Sequence, residues 1–310
     1  MEFTMSLFSY IILLLMVLVS VAFVTLMEQK ILASTQLRVG PNYVGAWGLL
    51  QPFADATKLF SKEPLNPMMA SVKLYYASPV LSLTMAMALW LVYPFEQGGV
   101  DLVYGALFFM CVSGLSVYPI LGCGWASNCK YSLLGSLRAV AQMISYEVSM
   151  AVVLLSLVWV GESFSFYTLM AKQYLVWNLF LFLPLTLVWG ASMLAETHRT
   201  PYDFSEGESE LVSGFNTEYA SGGFTLIFMA EYTSILLMSL VFSVLFVSSK
   251  FDSLTILKST LLAFSFVWVR ATLPRHRYDK LMSLAWKSFL PLSLAMFMYY
   301  SMVGSLVVNL

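Results

Sequence analysis

The apolar residues of this chain fall into long runs, and the polar stretches between them differ greatly in length. A helix needs about 20 apolar residues to cross a bilayer whose hydrocarbon core is roughly 30 Å thick. About eight runs meet this requirement, and we predict spans at 6–27, 74–95, 102–122, 140–160, 174–195, 223–248, 253–270 and 284–308. The pattern therefore predicts an all-α, polytopic integral membrane protein in which residues 1–310 form a single membrane domain.

An even number of spans places both termini on one side of the membrane, which we call side A; the opposite side is side B. Side B receives the long connections, and it also receives 13 of the 16 Lys and Arg residues. Side A holds only Lys172, Lys250 and Lys258. By the positive-inside rule, side B is the cytoplasmic or matrix face.

The first side-B connection contains a second kind of periodicity. In GLLQPFADATKLF, helical spacing puts Leu50, Phe53 and Phe60 on one face, while Asp55 and Lys58 lie on the other. This pattern predicts a short amphipathic helix along the membrane surface. The alternative is an ordinary loop helix whose apolar face packs on the helix bundle.

Composition narrows the class of protein further. Hydrophobic residues make up 59% of the chain and charged residues 11%, against roughly a quarter charged in soluble domains. The net charge of −1 and the absence of a basic stripe argue against nucleic-acid binding. Three cysteines are too few for an iron–sulfur cluster, and neither histidine lies in a predicted span, so we predict no metal or haem site.

Carboxylates inside the predicted spans are the main candidates for chemistry, because ionisable groups are costly in a bilayer and usually functional there. Glu147 and Glu231 each lie roughly 10 to 12 Å inside the side-B boundary. Further acids mark span ends or the fifth connection: Glu28, Glu196, Asp203, Glu206, Glu208, Glu210 and Glu218. Together they could form a proton relay descending from side B. The alternative is local pairing, of Glu147 with Arg138, Glu196 with Arg199, and Glu28 with Lys30.

The polar segment AETHRTPYDFSEGESELVSGFNTEYASGG lies between two apolar spans and also has two interpretations. Ser205 and Glu208 fit a capping box, which would make the segment a helix start. That interpretation leaves charges of both signs unexplained. A site of mixed charge beside lipid suits an amphiphile whose polar head is bound and protonated, with Tyr146, Tyr202, Phe204 and Tyr219 as candidate lining residues.

Four side-B stretches carry a specific resemblance. EQKILASTQLRVGPNYVGAWGLLQPFADATKLFSKEPLNP, GWASNCKYSLLGSLRAVAQMISYEV, LAETHRTPYDFSEGESELVSGFNTEYASGGFTLIFMAEY and WVRATLPRHRYDKLMSLAWKSFLPLSL resemble the signature regions of the NADH dehydrogenase subunit 1 family, the quinone-chamber membrane subunits of respiratory complex I. The resemblance covers nearly the whole chain in order and spacing.

The resemblance implies a core subunit of proton-pumping NADH:ubiquinone oxidoreductase in the mitochondrial inner membrane, with its basic loops facing the matrix and its termini facing the intermembrane space. It implies ubiquinone as substrate, no cofactor bound by this chain, and FMN and iron–sulfur clusters in partner subunits. Those partners are hydrophilic-arm subunits, which bring the terminal cluster to the quinone site, and small membrane subunits beside lipid.

The resemblance also assigns residues to roles. Arg38 and the amphipathic segment would frame the quinone entrance. The chamber wall or its loops would include Arg138, Tyr146, Arg199, Asp203, Glu206, Phe224 and Arg277. The acidic path would contain Glu147, Glu196, Glu208, Glu210, Glu218 and Glu231.

Three positions depart from the family pattern: Gln29 stands where Arg is usual, Val39 where Lys is frequent, and His198 where Asn is usual. None of them removes a membrane-embedded carboxylate. Three other functions remain as alternatives: the membrane subunit of a proton-linked hydrogenase, a free-standing proton-coupled transporter, and a structural anchor. The match through the quinone-facing loops argues against the first. The lack of an inverted repeat argues against the second, and the cost of two buried glutamates against the third.

Overall fold

The computed structural model describes residues 2–65, 67–95, 102–204, 207 and 213–308, and within these ranges it is helical with no strand. The helices are α1 (Glu2–Thr35), α2 (Gln51–Ser61), α3 (Val72–Leu89), α4 (Gly105–Leu115), α5 (Val117–Ala126), α6 (Lys130–Gly161), α7 (Phe166–Ala171), α8 (Asn178–Leu181), α9 (Leu183–Glu196), α10 (Ser221–Phe242), α11 (Ser253–Thr272), α12 (Tyr278–Leu284) and α13 (Leu290–Val308). Turns of π-helix at Ser243–Val247 and Ala285–Phe289 extend α10 and join α12 to α13.

Among the described residues, seven helical stretches are long and apolar enough to cross a membrane. They are Thr4–Thr35, Val72–Val92, Gly105–Ala126, Lys130–Gly161, Ser221–Val247, Ser253–Thr272 and Tyr278–Gly304. These stretches coincide with seven of the eight predicted spans. The prediction of an all-α polytopic membrane protein is therefore confirmed.

The predicted fifth span, 174–195, was wrong as a single helix. One turn of helix, α8, ends before Phe182, whose φ of −111° and ψ of 35° lie outside the helical range. The following helix, α9, has 14 residues, or about 21 Å, which is shorter than the hydrocarbon core. Pro184 stands in its first turn, where a missing N–H costs no hydrogen bond. Hydropathy could not show the break because Phe182 is itself apolar.

The predicted span ends also needed correction on side B. Helix α6 begins at Lys130 and not near 140, so Lys130 and Arg138 lie on a helix and not in a loop. Helix α11 likewise continues through Arg270. The first turns of α6 contain Lys130, Arg138, two serines and a glycine among leucines, which lowers the hydropathy of the segment without preventing helix formation.

The bundle is built around α6 and α10. In the most apolar 18 residues of each membrane-crossing stretch, 56% of the residues are buried for α6 and 72% for α10. The corresponding fractions are only 11% for α1 and 17% for the last span. Helix α10 packs against α1, α3 and α11, while α6 packs against α5, α9 and α13. The outer helices expose side chains such as Phe8 and Met16, as expected of surfaces that contact lipid.

At the side-A end of α10, side chains from other segments donate hydrogen bonds to backbone carbonyl groups of the π-helical turn. Nε2 of Gln173 donates to the carbonyl oxygens of Val244 and Leu245, each at 2.9 Å. Nζ of Lys258 donates to the Val247 carbonyl, also at 2.9 Å. Because unsatisfied backbone groups cost several kcal/mol in hydrocarbon, on the order of a full hydrogen bond, these side chains stabilise the π-helical turn.

Candidate functional site

A buried cluster of charge lies near the side-B end of α1. The Glu28 carboxylate forms ion pairs with Arg270 of α11 and with Arg199, whose Nη1 lies 3.5 Å from Oε1. Its second oxygen accepts a hydrogen bond of 2.7 Å from the Tyr232 hydroxyl of α10. The Arg199 guanidinium also lies 4.6 Å from the centre of the Tyr232 ring. These four residues, which we call the Glu28 cluster, join three helices to the segment after α9.

The local pairings weighed from the sequence were wrong. Glu28 does not bind Lys30, whose Nζ donates to the Trp47 carbonyl at 2.6 Å. Arg199 binds Glu28, so its partner lies far along the chain.

Glu147 and Arg138 are separated by nine residues of α6, which puts them on opposite faces and about 13 to 14 Å apart along the axis. A direct pair between them is excluded by this geometry. Sequence proximity was a poor guide because helices in a bundle present their charges to other helices.

A cavity of about 80 Å³ lies between α3, α5, α6, α9 and α10. Glu196 and Glu231 both line it, as do three serines, Ser82, Ser116 and Ser234. Oε2 of Glu196 is buried and has no hydrogen-bond partner among the described residues. A water needs about 10 to 15 Å³ of such volume, so the cavity has room for about five. The structure therefore brings two predicted path residues to one cavity, whose lining is mostly apolar apart from these carboxylates, the serines and a few other polar groups.

Glu147 lies beside this cavity and faces α4. A Cβ added at Gly114 would come within 2.7 Å of Oε1 of Glu147, so the glycine leaves the space that the carboxylate fills. Glu147 is also close enough to Glu196 for the two carboxylates to interact electrostatically. Three predicted path residues, Glu147, Glu196 and Glu231, are thus neighbours.

The segment after α9 is fixed to α6 by a residue that the sequence analysis missed. Gln142 is fully buried, and its Nε2 donates to the carbonyl oxygens of Ala195 at 2.9 Å and Tyr202 at 2.7 Å. Asp203 is held by Arg275, with Nη2 and Oδ2 3.0 Å apart. A glutamine in a predominantly apolar span was the available signal for Gln142.

Three of the four predicted lining aromatics form one cluster under this segment, whereas Tyr219 stacks on Tyr75 at 4.3 Å in a separate cluster. Tyr146 is 1% exposed, and its ring lies 5.9 Å from that of Tyr202 and 6.1 Å from that of Phe289. Phe204 and Leu281 complete the packing. Burial raises the pKa of Tyr202, so this phenol stays protonated and able to donate a hydrogen bond at neutral pH.

His198 lies in the same segment and is buried. Neither ring nitrogen has a hydrogen-bond partner among the described residues. Burial, with the adjacent Arg199 charge adding to it, lowers the pKa of His198 from 6.5 to about 4. The sequence alone gives no sign of this lowered pKa, because it does not show that the segment folds back into the bundle.

A row of aromatic side chains on α10 runs from the end of α2 to the Glu28 cluster. Phe224, Phe228 and Tyr232 are spaced four residues apart on α10, with ring centres 4.2 Å apart for the first pair and 6.4 Å for the second. Ser221 Oγ donates to the Lys62 carbonyl at 2.7 Å, which ties α2 to the start of α10. The predicted chamber residue Phe224 therefore begins an aromatic row that ends at a buried carboxylate.

Helix α2 itself forms where the periodicity predicted it, with Pro52 in its first turn. Its apolar face is not covered by the bundle: Phe53 is 47% exposed and Phe60 68%. Phe53 makes an edge contact with Phe23 of α1 at 6.3 Å between ring centres. The exposed face favours a helix lying along a membrane surface over a loop helix packed on the bundle.

The remaining predicted site residues are more scattered. Arg38 is exposed just beyond α1, where its Nε donates to Oε1 of Gln36 at 3.0 Å. Arg277 is exposed and precedes α12. The carbonyl of Glu218 accepts a hydrogen bond of 2.7 Å from the Tyr75 hydroxyl. Glu206, Glu208 and Glu210, and with them the capping box of Ser205 and Glu208, lie outside the described residues.

Comparison with known proteins agrees with this architecture. The family model described as NADH dehydrogenase matches residues 8–301. A protein of Aedes aegypti named NADH-ubiquinone oxidoreductase chain 1 is 53% identical over 295 residues, covering 95% of this chain and 94% of its own. Proteins of the same name from Anopheles gambiae, 54% identical with 94% and 93% covered, and Sminthopsis macroura, 50% identical with 96% and 95% covered, are similar. This chain belongs to the NADH dehydrogenase family.

Proposed function

We propose that the chain is a core membrane subunit of a proton-pumping NADH:ubiquinone oxidoreductase, respiratory complex I, in the mitochondrial inner membrane. It forms the ubiquinone entrance and chamber and the start of a glutamate-lined proton path. The observation that carries the proposal is that Glu196 and Glu231 line one cavity, directly beside the segment that carries Arg199 of the Glu28 cluster.

The position of the quinone entrance is inferred from the row of aromatic side chains on α10. An amphiphilic quinone enters beside α2, its tail remaining in lipid, and its head group moves along the row from Phe224 to Tyr232. Aromatic faces stack with a flat ring, and the charged groups at the end of the row bind the polar carbonyls. Exposed Arg38 contributes positive charge near the start of this route, where lipid head groups are anionic.

Coupling to proton transfer passes through the segment after α9. Arg199 pairs with Glu28 on one side, and its neighbour His198 lines the cavity on the other. Reduction of a quinone consumes protons and changes the charge in the chamber. This change alters the strength of the ion pairs in the Glu28 cluster. The segment 196–221 is the proposed two-state element, because it contacts both sites and both would bias it.

The chain supplies no redox cofactor in this proposal. FMN and iron–sulfur clusters belong to hydrophilic-arm subunits that dock on side B, the matrix face, while small membrane subunits and lipids surround the bundle. The excess of basic residues on side B supports this orientation and leaves the termini facing the intermembrane space.

The test uses Glu147→Gln and Glu231→Gln in the assembled complex in sealed inner-membrane vesicles. Each variant should assemble and retain NADH oxidation by an artificial electron acceptor, while quinone-linked proton pumping falls by about tenfold or more, on the scale of a lost proton-transfer group. Glu63→Gln on the exposed surface after α2 is the matched control. Full pumping in both buried variants contradicts the path. Native electrophoresis with NADH staining tests membership of the complex separately.

A further inference from the structure

His198 combines three properties that the proposed function does not use. Its side chain is buried at 5% exposure, both ring nitrogens are without hydrogen-bond partners among the described residues, and it lines the cavity that holds Glu196 and Glu231. Its backbone has φ of 50°, in the left-handed region. Non-glycine residues rarely adopt this conformation, so the ring is held toward the cavity at a cost to the backbone.

Two unsatisfied ring nitrogens would cost about 1 to 3 kcal/mol each if they stayed without partners. The cavity can resolve this cost because Glu196, Glu231 and several hydroxyl groups line it among apolar side chains, and because it has room for about five waters at 10 to 15 Å³ each. Its serine hydroxyls, at Ser82, Ser116 and Ser234, supply further partners for those waters. Water in this cavity would give the ring nitrogens the partners that the described residues do not supply.

We propose that His198 is a proton-relay residue that connects Glu196 to Glu231 through water in this cavity. The proposal deepens the proposed function and rests on it, since it concerns how a proton passes between two carboxylates of the path. Among the described residues, the other titratable and charged groups near the ring are Cys123 of α5, which lines the cavity, Glu147 beside it, and the adjacent Arg199.

The transfer balances without a change of charge on the ring. A proton leaves the Glu196 carboxylic acid through water and forms an N–H bond at the unprotonated ring nitrogen. The N–H bond at the other nitrogen breaks, and its proton passes through water to the Glu231 carboxylate. The ring ends in its other tautomer, and rotation of the ring restores the first while the proton stays on Glu231. The lowered pKa of His198 supports this role because a neutral imidazole both accepts and donates.

An amide at this position fills part of the same space and makes hydrogen bonds, yet it does not accept and release a proton in this way. The variant His198→Gln preserves polarity and approximate volume. His198→Asn is smaller and leaves room for an additional water, and Asn tolerates the left-handed backbone better than most residues. The two amides therefore separate loss of the relay from loss of packing.

The experiment measures quinone-linked proton pumping by the assembled complex in sealed vesicles, with assembly checked on native gels. His198→Gln should pump about tenfold or more slowly, and His198→Asn should fall between it and the parent. His198→Gly should recover pumping when imidazole is added. His276→Asn, which removes the other histidine, is the control and should not respond to imidazole.

Parental pumping by His198→Gln together with impaired Glu231→Gln overturns the relay and leaves the proposed function standing. Parental pumping by Glu147→Gln, Glu196→Gln and Glu231→Gln overturns the proposed function itself. If His198→Gln fails to assemble, His198→Gly is the deciding variant. A His198→Gly complex that assembles, pumps slowly and does not respond to imidazole also overturns the relay.

Discussion

The hydroxyl of Tyr232 donates a 2.7 Å hydrogen bond to Oε2 of Glu28, although 204 positions separate the two residues in sequence. The bond joins α10 to α1 next to the ion pairs that Glu28 makes with Arg199 and Arg270. A carboxylate that is 6% exposed is thereby surrounded by donors. Burial of charge is tolerated only with such partners.

Removing the carboxylate should therefore destabilise the subunit. Glu28→Gln removes the negative charge from the ion pairs that Glu28 makes with Arg199 and Arg270, and breaking a buried pair in this way costs about 3 to 5 kcal/mol. We expect a marked fall in the amount of assembled complex on native gels. Tyr232→Phe removes one hydrogen bond to a charged group, worth about 1.5 to 3 kcal/mol. This variant should lower the amount of assembled complex less than Glu28→Gln does. If Glu28→Gln assembles as well as Glu63→Gln, the cluster does not stabilise the fold.

The contact between Gly114 and Glu147 predicts a steric effect on the path. Gly114→Ala places a methyl group within 2.7 Å of Oε1, so the carboxylate must move and proton pumping should fall several-fold. Gly190→Ala, where an added Cβ meets nothing within 4 Å, is the matched control. Pumping rates in sealed vesicles check both. Adding Glu147→Asp to Gly114→Ala shortens the side chain and should restore part of the rate; no fall in the single variant rejects the contact.

The two hydrogen bonds of Gln142 predict that this side chain holds the segment after α9 against α6. Gln142→Ala removes the side-chain donor from the carbonyls of Ala195 and Tyr202, which keep only backbone donors such as the N–H groups of His198 and Phe204. The loss is about 0.5 to 1.5 kcal/mol for each hydrogen bond. We expect faster hydrogen exchange and proteolysis within 197–220 and weaker quinone binding. Ser156→Ala is the control on the same helix, since the Ser156 hydroxyl bonds only to its own helix at Val153. Equal exchange in the two variants contradicts the role given to Gln142.

The low pKa of His198 predicts a pH dependence of stability. The folded pKa of about 4 lies below 6.5, so the unfolded chain binds more protons between these values. Stability contributed by the neutral ring is complete above pH 6.5 and is lost as pH falls toward 4. Thermal inactivation of the assembled complex, measured from pH 7.5 to 5.5, should show a steeper decline for the parent than for His198→Asn. Parallel profiles would exclude a neutral buried ring.

The sequence predicted the features that depend on one helix at a time. Seven spans follow from hydropathy, and α2 follows from its amphipathic period. The buried acids were found by their rarity in apolar segments. Features set by packing between helices were missed: the partners of Glu28, the glycine that accommodates Glu147, and the cavity that His198 lines. Such contacts depend on helix rotation and depth, which no local pattern contains.

The Glu28 cluster also has a consequence for biogenesis. Helix α1 is synthesised first and carries its carboxylate to the edge of the bilayer, yet Arg270 lies 242 positions later in the chain. At translation rates of about 5 to 20 residues per second, the delay is on the order of tens of seconds. Until Arg199 and then Arg270 have been made, the nascent first helix holds an acid without its full set of counter-charges. Its firm docking into the bundle therefore waits until α11 has been inserted, so the first helix made is among the last to be secured.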